Sequence, residues 1–124
     1  TGYCHRIICA QDYSAVTAAC MMVKRKAYED AGGLSEKLQV AFNDIDFCLK
    51  LQRAGYLVVY NPYAELYHYE SKSRGLEDTP EKVARFNREI KTFEERWPEI
   101  LRDGDPYYNP NLTLDSQDFS LRRI

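Results

Sequence analysis

The segment from Asn43 to Ala54 constrains the fold more than any other part of this chain, because its apolar residues repeat with the period of a helix. Asn43 is a favourable N-cap residue, and Gly55 is a natural residue for the C-terminal cap. Asp44 and Asp46 fall in the first turn, where the helix dipole stabilises negative charge. The sequence therefore predicts an amphipathic helix that begins with two carboxylates.

A second long helix is predicted over residues 79–102, since Thr79-Pro80-Glu81 supplies a cap, a first-position proline and an early acid in succession. Pro98 should weaken this helix near its end. Apolar residues at spacings of three and four form one stripe that is expected to pack inward: Val83, Phe86, Ile90, Phe93 and Trp97. Residues 103–124 contain two prolines and are expected to form an extended tail over a surface.

Strands are predicted where apolar residues run together or alternate. Residues 15–24 form a nearly continuous apolar run, which is typical of a strand covered on both faces. Residues 56–60 and 64–69 are rich in aromatic and β-branched side chains, and the alternation of the second segment places His68 on its apolar face. A further short strand is expected within residues 6–10.

Between these strands, residues 25–31 predict a short helix that ends at Gly32 and Gly33, whose backbone freedom suits a turn. Residues 34–41 are expected to form a loop. A chain of 124 residues with 44% hydrophobic content can bury one modest core. We therefore expect a single α/β domain over residues 1–124, with a short mixed sheet packed by about three helices.

Composition and charge limit the partners and the location that the sequence predicts. The net charge is −2, from 17 basic and 19 acidic residues that are well mixed, so the charge pattern predicts no nucleic-acid partner. No apolar stretch approaches the roughly 20 residues of a transmembrane segment, and the first residues do not resemble an export signal. We expect a cytoplasmic protein with reduced, packed cysteines, because none shows Cys-x-x-Cys spacing: Cys4, Cys9, Cys20 and Cys48.

An ordered series of motifs resembles the family-2 glycosyltransferases. The series runs through residues 15–75 as Thr17-Ala18-Ala19-Cys20-Met21-Met22-Val23, then Ala31-Gly32-Gly33-Leu34, then Asn43-Asp44-Ile45-Asp46 with Gly55-Tyr56, then Pro62 and His68 with Ser71, Ser73 and Arg74. The tail from Asp105 to Leu112 is similar to the end of such enzymes from polysaccharide synthesis. The chain also begins without Met, which suggests part of a longer protein.

The resemblance implies a partial GT-A fold that lacks its N-terminal nucleotide-binding half and the Asp-x-Asp metal motif of that half. It implies an inverting, metal-dependent, hexosyltransferase-like enzyme of cell-surface polysaccharide synthesis. The substrates would be a nucleotide-diphosphate sugar and a carbohydrate or lipid-linked acceptor. The isolated chain is expected to be inactive, because it holds only the acceptor side. Such a chain could also lie at the inner face of the membrane.

By position, the resemblance makes Asp44 the general base and makes His68 a ligand of a divalent cation, Mn²⁺ or Mg²⁺. The family often has Glu before the base, where this chain has Asn43. Contacts with substrate are expected from six further residues: Asn43, Asp46, Gly32, Gly33, Ser73 and Arg74.

Each of these residues also has a simpler interpretation. Asp44 could be an ordinary partner of the helix dipole, and His68 a hydrogen-bonded core histidine. Arg74 could bind phosphate oxygens or belong to a solvated run of charge. Asp46 is expected to support the structure by pairing with Lys50 one turn later, because residues two apart on a helix do not face each other.

A non-catalytic module that binds carbohydrate or assembles with a partner is the second hypothesis. The sheet edge left by a missing half would expose apolar area, so self-association is expected. Four tyrosines could stack on sugars, although aromatic residues in strands more commonly form core or cross-strand pairs, which we favour here: Tyr60, Tyr63, Tyr67 and Tyr69.

Overall fold

The computed structural model describes residues 2–69 and 79–123, and helices dominate this part of the chain. In chain order the elements are a 3₁₀ turn at Tyr3–His5, β1 (Gln11–Asp12), a 3₁₀ turn at Ala18–Cys20, α1 (Arg25–Asp30), α2 (Asn43–Arg53), β2 (Val59–Tyr60), α3 (Pro80–Arg96) and α4 (Pro98–Asp103). The predicted mixture of helices and strands is confirmed. None of these helices is long and apolar enough to cross a bilayer.

The sheet is smaller than predicted. Among the described residues it consists of β1 and β2, which pair antiparallel with Gln11 opposite Tyr60 and Asp12 opposite Val59. One further hydrogen bond, from the backbone N–H of Tyr13 to the carbonyl of Val58 at 2.9 Å, extends this pairing. The mixed sheet is therefore wrong for the described part of the chain, which has one short antiparallel pair.

Two predicted strands are wrong. Residues 15–24 contain the 3₁₀ turn at Ala18–Cys20, which is capped by Thr17, and Met22 is 98% exposed. Residues 64–69 form no strand, and Tyr67 is 92% exposed. An apolar run forms a buried strand only where other elements cover both of its faces. No described strand pairs with either segment.

The predicted helix over residues 25–31 is confirmed as α1, with the loop over 34–41 after it. Gly32 and Gly33 both have left-handed backbone angles, with φ of 83° and 69°. The N–H of Gly33 donates to the carbonyl of Tyr28 at 3.0 Å, which closes the helix end. The strand predicted within residues 6–10 is wrong, since β1 begins at Gln11.

Helix α2 (Asn43–Arg53) lies within the predicted segment 43–54 and carries much of the core. Phe47 and Cys48 are almost completely buried, and a central cluster joins Phe47 to Ala27 of α1 and to Leu51. The predicted N-cap is wrong: the cap position is Phe42, in a left-handed conformation, and Asn43 is the first helical residue. The side chain of Asn43 is engaged elsewhere, as described below.

Only one cysteine has the predicted packed environment. Cys48 is buried, and this burial raises the pKa of its thiol. The prediction is wrong for the other three thiols, which are exposed: Cys4, Cys9 and Cys20. All four are free, as predicted.

The helix predicted over 79–102 begins as expected but is divided into α3 and α4. Thr79 caps α3, since its hydroxyl oxygen accepts the backbone N–H of Lys82 at 3.3 Å. Trp97 interrupts the helix with a φ of −126°, because a residue before proline avoids the helical region. The inward stripe is confirmed at Trp97, which is 3% exposed, whereas Val83 is 44% exposed.

The tail after α4 folds back on itself and is not a simple extended segment. Leu112 pairs with Leu121 in an isolated antiparallel bridge, and Leu112 is buried. The ring of Phe119 stacks on Tyr3 with centroids 4.7 Å apart. These contacts hold the tail against the first residues of the described chain.

Candidate active site at the start of α2

The carboxylate of Asp44 lies against the turn at Ala18–Cys20. Its Oδ2 accepts the backbone N–H of Ala18 at 3.2 Å, and its Oδ1 accepts the N–H of Ile45 at 3.0 Å. The residue is partly buried. Because each carboxylate oxygen has two lone pairs, both oxygens can accept a further hydrogen bond. The structure thus brings together two of the motifs that carry the family resemblance, and it leaves a free lone pair on each carboxylate oxygen of Asp44.

The side chain of Asn43 fixes the loop before α2. Its Oδ1 accepts the backbone N–H of Ser35 at 3.0 Å, and its Nδ2 donates to the Ser35 carbonyl at 3.0 Å. Both polar ends of the amide are therefore engaged with backbone. In the structure Asn43 holds the loop over residues 34–41 next to Asp44, and its contact with a substrate stays a prediction.

Asp46 supports the structure, as predicted. Its side chain is fully buried, and Lys50 lies 3.2 Å from its Oδ2. Its Oδ1 accepts from Arg96 at 2.9 Å and from the indole N–H of Trp97 at 2.8 Å. Burial acts to raise the pKa of Asp46, but these partners outweigh it, and the pKa lies below its ordinary value. Asp46 therefore joins α2 to the junction of α3 and α4 as an ionised carboxylate.

The two glycines after α1 differ in their surroundings. The carbonyl of Gly33 accepts from the ammonium group of Lys50 at 2.9 Å, so Gly33 is connected to the Asp46 cluster. A Cβ at Gly33 would lie 3.0 Å from the Tyr28 ring, whereas a Cβ at Gly32 would meet nothing within 4 Å. The structure accounts for both residues as a helix end, and contact with a sugar stays a prediction.

Glu89 is an important residue that the sequence did not single out. Its carboxylate is buried and accepts the backbone N–H groups of Val40 and Ala41, each at 3.0 Å. Helix α3 thereby fixes the end of the loop that leads into α2. A signal was present, since position 89 lies three residues after Phe86 and four before Phe93, which puts an acid on the inward stripe of the helix.

The described residues do not form a metal site by themselves. Among residues 2–69 and 79–123, no group of three His, Cys, Asp or Glu side chains is arranged to hold a metal ion. His68 is exposed, so its interpretation as a core histidine is wrong. Its role as a ligand stays a prediction. Ser73 and Arg74 lie outside the described residues.

The aromatic side chains near His68 are more exposed than we expected. Tyr60 packs edge-on against Tyr13, with centroids 6.0 Å apart, so a pairing interaction is confirmed there. For the other three the expectation of core or cross-strand packing is wrong, since Tyr63, Tyr67 and Tyr69 are exposed by 88%, 92% and 69%.

This chain is similar to proteins that are named for glycosyl transfer and for O-antigen synthesis. It is 36% identical over 113 residues to the O-antigen biosynthesis protein RfbC of Myxococcus xanthus. It is 35% identical over 60 residues to N-acetylglucosaminyl-diphospho-decaprenol L-rhamnosyltransferase of Mycobacterium tuberculosis. An uncharacterized protein, y4gI of Sinorhizobium fredii, is 55% identical over 121 residues.

The match to RfbC covers 91% of this chain but 8% of RfbC. The match to the rhamnosyltransferase covers 48% of this chain and 20% of that enzyme. The match to y4gI covers 97% of this chain and 13% of y4gI. The chain thus spans a fifth or less of the length of each protein. No family model and no solved structure matches it. The relatives support the resemblance to glycosyltransferases that the motif series indicated.

Proposed function

We propose that this chain is the acceptor side of an inverting sugar transferase in which Asp44 is the general base. The observation that carries the proposal is the partly buried carboxylate held by the N–H of Ala18, in a chain similar to a rhamnosyltransferase. The donor would be a nucleotide-diphosphate sugar, and the acceptor a carbohydrate or lipid-linked alcohol of surface-polysaccharide synthesis.

In the proposed reaction Asp44 takes the proton of the acceptor hydroxyl as the hydroxyl oxygen attacks the anomeric carbon. A new bond forms between that oxygen and the sugar, while the bond from the sugar to the nucleotide diphosphate breaks. Attack from the opposite side inverts the anomeric configuration. The nucleotide diphosphate leaves with the bonding electrons, and Asp44 later loses its proton to solvent.

The arrangement around Asp44 supports this role because it limits movement of the base. The backbone donors at Ala18 and Ile45 already hold the carboxylate, and α2 itself is anchored by Asp46. A catalytic group that is fixed before the substrate binds loses little further freedom in the transition state. Metal dependence, with His68 as a ligand, stays a prediction of the resemblance, and no step of the proposed reaction passes through a cation.

The test is Asp44→Asn in the full-length protein that contains this chain. The amide is nearly isosteric and still accepts the Ala18 N–H, but it cannot take the proton of the acceptor. We expect sugar transfer to fall by about 10²–10⁴-fold, with donor binding nearly unchanged. Asp115→Asn, at an exposed residue of the tail, is the matched control. Retention of most of the activity in Asp44→Asn would remove Asp44 from the mechanism.

A non-catalytic glycan-binding module is the second candidate, and the exposed rings of Tyr63, Tyr67 and Tyr69 favour it. Such large exposed apolar groups commonly mark an interaction surface. The same experiment separates the two candidates. A binding module would retain glycans equally well with and without the Asp44→Asn substitution, and the unmodified protein would show no sugar transfer.

A further inference from the structure

A concavity of about 490 Å³ lies between α1, α2 and the junction of α3 and α4. Its charged walls are Asp30, Lys50, Arg53 and Arg96, and Trp97 supplies an aromatic wall. Asp44 and His68 do not line it. The concavity is therefore distinct from the candidate active site.

Two of the cations are held in place by the same buried carboxylate. Lys50 lies 3.2 Å from Asp46, and its ammonium group also donates to the carbonyl of Gly33 at 2.9 Å. Arg96 donates to Asp46 at 2.9 Å through one nitrogen. A single carboxylate neutralises only one of these two cations, so net positive charge remains on this wall.

Arg53 is the third cation and has no ion pair or hydrogen bond within residues 2–69 and 79–123. Its guanidinium lies over the Trp97 ring, 4.2 Å from the centroid, and Trp97 is itself anchored on Asp46 at 2.8 Å. A guanidinium carries its five N–H donors in its own plane. Contact with the ring restricts Arg53, and its N–H donors, which have no partner among the described residues, are available to a ligand.

The one acidic residue on the wall is already paired. Asp30 accepts from Lys26 at 2.9 Å and from the Tyr56 hydroxyl at 2.8 Å. The charged lining residues and their ion-pair partners are four cations and two carboxylates, which leaves two positive charges: Lys26, Lys50, Arg53 and Arg96 against Asp30 and Asp46.

We propose that this concavity binds a phosphate or diphosphate group, with Arg53 as the main contact and with Lys50 and Arg96 in support. The planar fork of arginine matches the spacing of phosphate oxygens and binds them through two hydrogen bonds. A doubly charged anion also balances the two positive charges of the site. This inference does not depend on the role of Asp44.

The first test is titration of the purified full-length protein with inorganic pyrophosphate at about 0.15 M ionic strength. We expect saturable binding that Arg53→Gln weakens about tenfold, as loss of a charge-assisted hydrogen bond predicts. Arg88→Gln, at an exposed arginine of α3 that does not line the concavity, should bind as the unmodified protein does. Arg53→Lys keeps the charge without the fork and should lie between them.

Three results would overturn the proposal. These are the absence of saturable pyrophosphate binding, equal binding by Arg53→Gln and the unmodified protein, and equal weakening by Arg88→Gln. Circular dichroism reports whether each variant is folded.

Phosphatidylcholine vesicles with and without phosphatidic acid distinguish the two sources of the phosphate. If the protein sediments only with the vesicles that contain phosphatidic acid, and Arg53→Gln abolishes this sedimentation, the ligand is a phosphate on a lipid. Arg53-dependent pyrophosphate binding without sedimentation would assign the site to a soluble ligand.

Discussion

Replacement of Asp46 by alanine tests how α2 is fixed to the rest of the molecule. The side chain is fully buried and accepts from Trp97 and Arg96 through the same oxygen, while Lys50 lies 3.2 Å from the other oxygen. Alanine removes all three interactions. It also leaves two cations and an indole N–H without their acceptor.

The expected loss can be worked out from these contacts. Each hydrogen bond to a charged group contributes about 1.5–3 kcal/mol, so the two from Trp97 and Arg96 give about 3–6 kcal/mol. Removal of one member of a buried ion pair typically costs about 3–5 kcal/mol. Because the side chains of Arg96 and Lys50 are 28% and 20% exposed, both can turn partly to water. We therefore expect the free energy of unfolding to fall by an amount near the lower end of these ranges, about 3 kcal/mol.

Urea unfolding of this 124-residue chain, followed by Trp97 fluorescence, measures this loss directly, since Trp97 is the only tryptophan among these residues and touches the altered side chain. The midpoint should fall by about 1–3 M urea. Glu95→Ala is the control, because the exposed pair of Glu95 with Lys91 contributes little. A loss below about 1 kcal/mol for Asp46→Ala, or an equal loss for Glu95→Ala, would refute the argument.

The contribution of Asp46 to the free energy of unfolding should depend on pH, and the direction follows from its pKa. The pKa of Asp46 is below its ordinary value of 3.8, so the folded state binds its proton less readily than the unfolded state. The stabilisation is fully present above this ordinary value and is lost as the pH falls through the lower native pKa. The difference in unfolding free energy between the unmodified protein and Asp46→Ala should therefore shrink below about pH 4.

Two substitutions test the loops that flank the site. Glu89→Gln weakens the acceptor for the N–H groups of Val40 and Ala41, so their hydrogen exchange should accelerate about tenfold; unchanged exchange measured by NMR would contradict the anchor. Gly33→Ala should destabilise by about 1–2 kcal/mol in urea unfolding, since its Cβ would meet the Tyr28 ring at a left-handed φ. Gly32→Ala has the same backbone cost without the contact, so an equal or larger loss there would contradict this reasoning.

The helices could be predicted from the sequence because their signals are local. Caps, prolines, glycines and apolar spacing lie within each segment, and they placed α1, α2 and the start of α3. The strands could not be predicted in the same way. Residues 15–24 have strand composition, yet their conformation depends on which other elements lie beside them. The exposed side chain of Met22 shows that this information is not in the segment itself.

How far the contacts of the candidate site could be predicted from the sequence differs between its residues. The order of the motifs indicated Asp44, but only the structure shows its contact with Ala18, which lies 26 positions away. Pairing of Asp46 with Lys50 followed from helix geometry. The second partner of Asp46, Arg96, lies 50 positions away, and no local pattern connects the two residues.

The two carboxylates at the start of α2 have different roles because of the helix that carries them. Successive residues turn by roughly 100° around the axis, so Asp44 and Asp46 point roughly 200° apart. Since Asp46 is fixed to Trp97, the rotation of α2 about its own axis is fixed as well. Asp44 must then lie on the opposite side, where it meets Ala18. The buried carboxylate of Asp46 thereby sets the direction in which the proposed base points.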